Sequence, residues 1–131
     1  MHRMKQNGFT LIELMITIAI IAVLARIAYP SYLQHLIKGN RTAAQAQMLD
    51  IANREQQYLL ANRSYATKAQ LEAALYSLPT EVSAKYTYDV AVTTGSPPSF
   101  TITFTPTGSQ ASDGTMTLDS TGSKQPSNKW Q

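Results

Sequence analysis

The chain has no cysteine, which removes disulfides, zinc-thiolate centres and thiol nucleophiles from consideration. Histidine is nearly absent as well, with only His2 and His35. There is no H-E-x-x-H pair, no phosphate-cradling glycine loop and no nucleophile elbow, and no two carboxylates lie close together in a recognisable acid-base setting. The Ser, Thr and Tyr residues have no evident base. An enzyme is therefore not expected, and neither a metal nor a cofactor is called for. Charge is sparse too, at 15% of residues.

The net charge of +3 suggests a polyanion binder until it is located. Arg3 and Lys5 precede Gly8, and the remainder carries nine Lys/Arg against eight Asp/Glu. From Asn62 onward five basic residues face five acidic ones. The C-terminal part is thus electrically balanced, and the 131 residues suit one small domain.

Hydrophobic residues are concentrated between Phe9 and Tyr29, in the run FTLIELMITIAIIAVLARIAY. As a helix this run spans about 30 Å, the thickness of a bilayer core. An ordinary secretory signal is cut after its apolar region. Here the small residue suited to cleavage, Gly8, comes before it, so cleavage would leave the apolar segment in the product. The charges of Arg3 and Lys5 favour a cytoplasmic N-terminus and an exported remainder. Two ionisable groups interrupt the run. Arg26 lies near its outer end, where a long side chain can snorkel to the headgroups. Glu13 is shorter and is a candidate functional group.

The string G-F-T-L-I-E-L at Gly8–Leu14, followed by the apolar run and by Y-P-S-Y at Tyr29–Tyr32, resembles the N-terminus of type IV prepilins. The resemblance implies cleavage between Gly8 and Phe9 by a prepilin peptidase and N-methylation of Phe9. It also implies that Glu13 attracts the Phe9 ammonium during assembly with other pilin subunits; the partner could be a neighbour's Phe9 or its own. The division implied is a leader at 1–8, a membrane and filament-core helix at 9–30 and a globular head at 31–131. Before assembly the chain would sit in inner-membrane lipid, with its N-terminus in the cytoplasm, beside the inner-membrane assembly platform. Afterwards it would belong to an extracellular filament serving pilus biogenesis, motility or adhesion.

Downstream, R-T-A-A-Q-A-Q-M-L-D-I-A-N-R-E-Q-Q-Y at Arg41–Tyr58, N-R-S-Y-A-T at Asn62–Thr67 and G-T-M-T-L-D-S-T-G-S-K at Gly114–Lys124 resemble the small minor pilins. That group commonly carries a cysteine before the Gly114 strand and another before the terminal tryptophan. The corresponding residues here are Asp113 and Lys129, and the expectation is an exposed salt bridge in place of a staple. Two other readings stay open. A DNA-binding minor pilin is not favoured by the neutral head. A secretion pseudopilin would call for a calcium loop, for which Asp113 and Asp119 are too sparse.

The fold implied is the α+β pilin fold, a long N-terminal helix packed on a three- to four-stranded antiparallel sheet. Helical spacing of Leu33, Ile37, Ala44, Met48, Ile51, Tyr58 and Leu59 extends the helix from Phe9 to about Leu60, with Lys38, Arg41, Asp50 and Arg54 off the packed face. Pro30 should kink it, and Gly39-Asn40 is a second weak point. Leu71, Leu75 and Leu78 suggest a short helix or connector over Ala66–Thr80. Alternation marks strands at Lys85–Thr93, Phe100–Thr105 and Thr115–Asp119. Tyr86, Tyr88, Val90 and Val92 share one face, and Phe100, Ile102 and Phe104 another.

Overall fold

The computed structural model describes residues 4–130. Residues 1–3 of the expected leader, with Arg3 and His2, lie outside the described residues. The chain divides into two compact units, 1–36 and 37–131, and one helix, α1 (Leu11–Asn62), contributes to both.

The helix begins where sequence chemistry permits. Thr10 and Glu13 form a reciprocal capping box: the Glu13 amide donates to Thr10 Oγ1 (3.3 Å) and the Thr10 amide to Glu13 Oε2 (2.8 Å). The helix continues through Pro30 and Gly39 and ends at Arg63, whose φ of 57° is left-handed and whose amide returns to the Leu59 carbonyl at 2.7 Å. In the first unit every described residue is exposed, including Ile12, Ile16, Ile20 and Leu24.

The second unit has its own core. Strands β1 (Tyr86–Thr93), β2 (Ser99–Pro106), β3 (Met116–Asp119) and β4 (Lys124–Gln125) form one antiparallel sheet in the order β1-β2-β3-β4. Register aligns Tyr88 with Phe104 and Met116, and Val90 with Ile102 and Leu118. The apolar sets of the two strands therefore lie together on one side of the sheet, because antiparallel pairing puts opposed residues on the same side. That face and Ala44, Met48 and Ile51 of α1 belong to one buried core. Edge-to-face aromatic contacts close it, Tyr65 on Phe100 at 4.7 Å and Tyr76 on Tyr88 at 5.9 Å.

The connector after α1 holds two short helices, α2 (Lys68–Ala73) and α3 (Thr80–Ser83). Thr67 and Gln70 cap α2 reciprocally. Leu71 is buried as expected, whereas Leu75 is 93% exposed with a φ of 67°, because it terminates α2 in a left-handed turn that points it outward.

Candidate functional site

Residues Met4–Thr10 form no helix or strand and are exposed. A Cβ built on Gly8 would meet nothing within 4 Å. The folded chain places no steric demand on that glycine among the described residues. Five residues into the segment after Gly8, Glu13 receives the Thr10 hydroxyl at 3.0 Å besides the Thr10 amide. No cation pairs with it among the described residues.

The helix that follows carries an 18-residue apolar stretch, none of it buried. Its length and composition suit a membrane anchor. For an isolated chain in water this surface would be far larger than the apolar patches soluble monomers expose. Something must cover it, either lipid tails or other apolar helices.

A second constellation lies in the folded unit. Asp113 ends the 3-10 helix Gly108–Asp113 with its side chain only 2% exposed. Arg41 holds it through both Nε (2.8 and 3.0 Å) and Nη2, a bidentate arrangement. Lys129 Nζ lies 3.6 Å from Asp113 Oδ1 and also donates to the Asp113 carbonyl. Tyr86 donates its hydroxyl to Asp113 Oδ2 at 3.3 Å.

Buried Gln110 continues the network. Its amide nitrogen donates to the Ile37 carbonyl and the Tyr86 hydroxyl, both at 2.9 Å, and its oxygen accepts from Asn40 at 3.1 Å. Gln45 donates to the Lys129 carbonyl at 2.7 Å. Four chain segments thus meet in one satisfied polar cluster: α1, the start of β1, the 3-10 helix and the C-terminal tail.

The expected exposed pair differs from this in two ways. The carboxylate is buried, and its foremost partner is Arg41, which the helical periodicity had set off the packed face. The guanidinium reaches in because its long stem spans from the flank of the helix to the carboxylate. Burial pushes the Asp113 carboxyl up, but Arg41, Lys129 and the Tyr86 hydroxyl outweigh it and leave the group below the usual carboxylate range. Burial pushes the Tyr86 phenol up to about 12.

Sequence reading also missed Glu55, which is fully buried one turn after Ile51. Its Oε2 accepts the Ala66 amide at 2.7 Å, anchoring the connector where it leaves α1, while Oε1 has no partner among the described residues. Burial raises this carboxyl above its ordinary range. Among the described residues no cluster of His, Asp and Glu could hold a metal ion.

Comparison with known proteins gives two family matches. A model described as the prokaryotic N-terminal methylation motif matches residues 3–29, and one described as type IV minor pilin ComP, DNA uptake sequence receptor, matches residues 30–118. The type IV wide pilus major component PilA4 of Thermus thermophilus is 42% identical over 72 residues, 55% of this chain and 53% of that protein. The type II secretion system core protein G of Aeromonas hydrophila is 31% identical over 88 residues, 67% of this chain and 62% of that protein. The fimbrial protein EcpB of Eikenella corrodens is 68% identical over 35 residues, 27% of this chain and 22% of that protein. The chain therefore spans between half and two thirds of the length of the first two relatives.

Proposed function

The chain belongs to the type IV minor pilin family, and on that premise we propose that it is a minor subunit of a type IV pilus, with a structural rather than a catalytic role. A prepilin peptidase cuts after Gly8, the new amine of Phe9 is methylated, and α1 holds the subunit in the inner membrane with its N-terminus cytoplasmic. At the assembly platform the subunit exchanges lipid for the helices of other pilins and leaves the cell in the filament. The observation that carries this reading is the fully exposed apolar half of α1, preceded by an open Gly8-Phe9 segment and opened by Glu13. Desolvating Glu13 in a filament core is tolerable only with a cationic partner, and the Phe9 ammonium of a neighbour is suited to that.

A second reading, DNA capture by the same subunit, is favoured by the family's description. Lys38, Arg63, Lys85 and Lys124 have no carboxylate partner among the described residues and are candidates for phosphate contacts. The outward face of the sheet does not suit a phosphate backbone, because it carries Asp89 and Asp119 beside Thr87, Thr101, Thr103 and Thr117, and no cation. Neither Asp113 nor Asp119 favours a calcium-loop pseudopilin. The first is held by Arg41 and Lys129, and Oδ1 of the second accepts from Thr121 N, Thr121 Oγ1 and Ser123 N at 2.6–3.0 Å.

Both readings are tested on sheared filaments from cells with and without the gene. The chain is expected in the sheared fraction, and its complete retention in membranes would refute the pilus reading. Under the second reading, filaments lacking the chain lose a DNA-binding component that weakens steeply with salt.

A further inference from the structure

Two carboxylates lie inside the folded unit, and they are provided for very differently. Asp113 is met by two cations and a phenol. Glu55 is fully buried with one donor among the described residues, the Ala66 amide on Oε2. An ionised carboxylate enclosed on those terms costs stability. Charged and titratable groups on the surrounding elements are turned elsewhere. On α1, Asp50 and Arg54 pair with each other at 3.1 Å, and on α2 Lys68 faces Glu72 at 4.0 Å. The Tyr65 hydroxyl accepts from Gln56, Tyr76 donates to Gln47, and Tyr88 donates to Glu72. Strand β2, which brings Phe100 against Tyr65, has no titratable side chain. None of these groups, nor Tyr58 or Arg63, meets the Glu55 carboxyl by hydrogen bond or ion pair among the described residues.

Burial therefore governs Glu55 and raises it above the ordinary glutamate range, with the Ala66 amide opposing. A raised carboxyl contributes stability that is present below its ordinary value of about 4.3 and is lost as pH rises through the folded value. That sign is the reverse of Asp113. The loss falls on a definite segment, the residues 63–67 that carry the chain from α1 to α2. Arg63 turns the segment with its left-handed φ, Tyr65 and Ala66 are buried, and Thr67 caps α2. We infer that Glu55 is a proton-controlled latch on this connector: the neutral carboxyl keeps it closed against α1, and the ionised one releases it by local opening. Opening admits water to the carboxylate and takes Tyr65 off Phe100. It also frees α2 to move from α1, widening the groove between them where Tyr58, Leu71 and Tyr76 lie. This end of the folded unit is thus tight in acid and looser in neutral surroundings.

Hydrogen exchange at single amides, read by NMR on the detergent-solubilised full-length chain and corrected for the intrinsic rate, tests the latch. As pH rises from about 4 to about 8, protection of Ala66 is expected to fall about tenfold or more. The fall should level off once the Glu55 carboxyl, followed by its carbon-13 shift, has titrated. The sheet amides of Ile102 and Leu118 should not follow it. Glu55→Gln can still accept the Ala66 amide but does not titrate, so the fall should vanish. Constant protection of Ala66 in the unmodified chain, or the same fall in Glu55→Gln, overturns the inference. A parallel loss at Ile102 and Leu118 overturns it too, since the opening would then be global. Should Glu55→Gln fail to fold, the unmodified chain still decides: a Glu55 carboxyl titrating at the ordinary glutamate value sinks the latch, and one titrating above it, in step with Ala66 alone, supports it.

Discussion

Replacing Asp113 with alanine is expected to lower the unfolding free energy by about 3–5 kcal/mol, the range for breaking one side of a buried ion pair. The loss goes beyond one contact, because Arg41 and Lys129 keep their charges against each other and the Tyr86 hydroxyl loses an acceptor. Lys129→Ala should cost far less, about 1 kcal/mol, since Arg41 still neutralises the carboxylate. If the cluster acts as a unit, Arg41→Ala and Asp113→Ala combined will cost clearly less than the two single effects added.

The pH dependence has a definite sign. The folded Asp113 carboxyl lies below its ordinary value, so its contribution is complete above the unfolded carboxylate value of about 3.9 and is lost as pH falls through the folded one. Chemical denaturation of the detergent-solubilised chain, followed by the near-ultraviolet aromatic signal, reads both effects. Equal stability of the Asp113→Ala protein at neutral pH would mean that the cluster is ornamental.

Loss of the Glu13 charge is expected to reduce incorporation into filaments at least tenfold while membrane insertion stays normal or improves. Glu13 has a local duty besides this one, as the third residue of the capping box, and that duty is worth about 1 kcal/mol. Glu13→Ala removes both functions at once. Glu13→Gln separates them, because a glutamine can still accept the Thr10 amide but carries no charge. Both variants should fail to assemble if the carboxylate pairs with a cation of a neighbouring subunit. Normal assembly of Glu13→Gln with failure of Glu13→Ala would assign the residue to helix initiation alone. Quantifying each variant in the membrane and sheared fractions distinguishes these outcomes.

Much of this architecture is legible in the sequence because it is written in strong periods. An apolar run of membrane length, strands alternating at Tyr86–Val92 and Phe100–Phe104, and the helical recurrence of Ala44, Met48 and Ile51 each reflect one local rule. The short strand β4 and the 3-10 helix Gly108–Asp113 carry no such period. Arg41 illustrates a different limit. Helical spacing gives the direction in which a Cα–Cβ bond points, but not where a guanidinium several bonds further out will end. Glu55 is a related case, since a carboxylate on the buried face breaks the expected pattern and becomes intelligible only when the Ala66 amide is found beside it. Its one legible cue was its position, one turn beyond Ile51 in the apolar stripe.

At the candidate site the sequence carries Gly8, Phe9 and Glu13 through their order along the chain, and the structure adds the exposed backbone and the hydrogen bonds from Thr10 to Glu13. Of the Asp113 cluster, the pairing with Lys129 is legible through the resemblance, and the two side chains lie 3.6 Å apart. Arg41, Tyr86 and Gln110 are not, because nothing local in the sequence ties them to Asp113.

The central claim is that the apolar helix stays in the mature protein, first as an anchor and then as polymer core. Intact-mass and N-terminal analysis of the subunit recovered from sheared filaments tests it most directly. The account predicts a chain beginning at Phe9 with one added methyl group on its amine; a chain that starts at Met1, or anywhere beyond Tyr29, would contradict it.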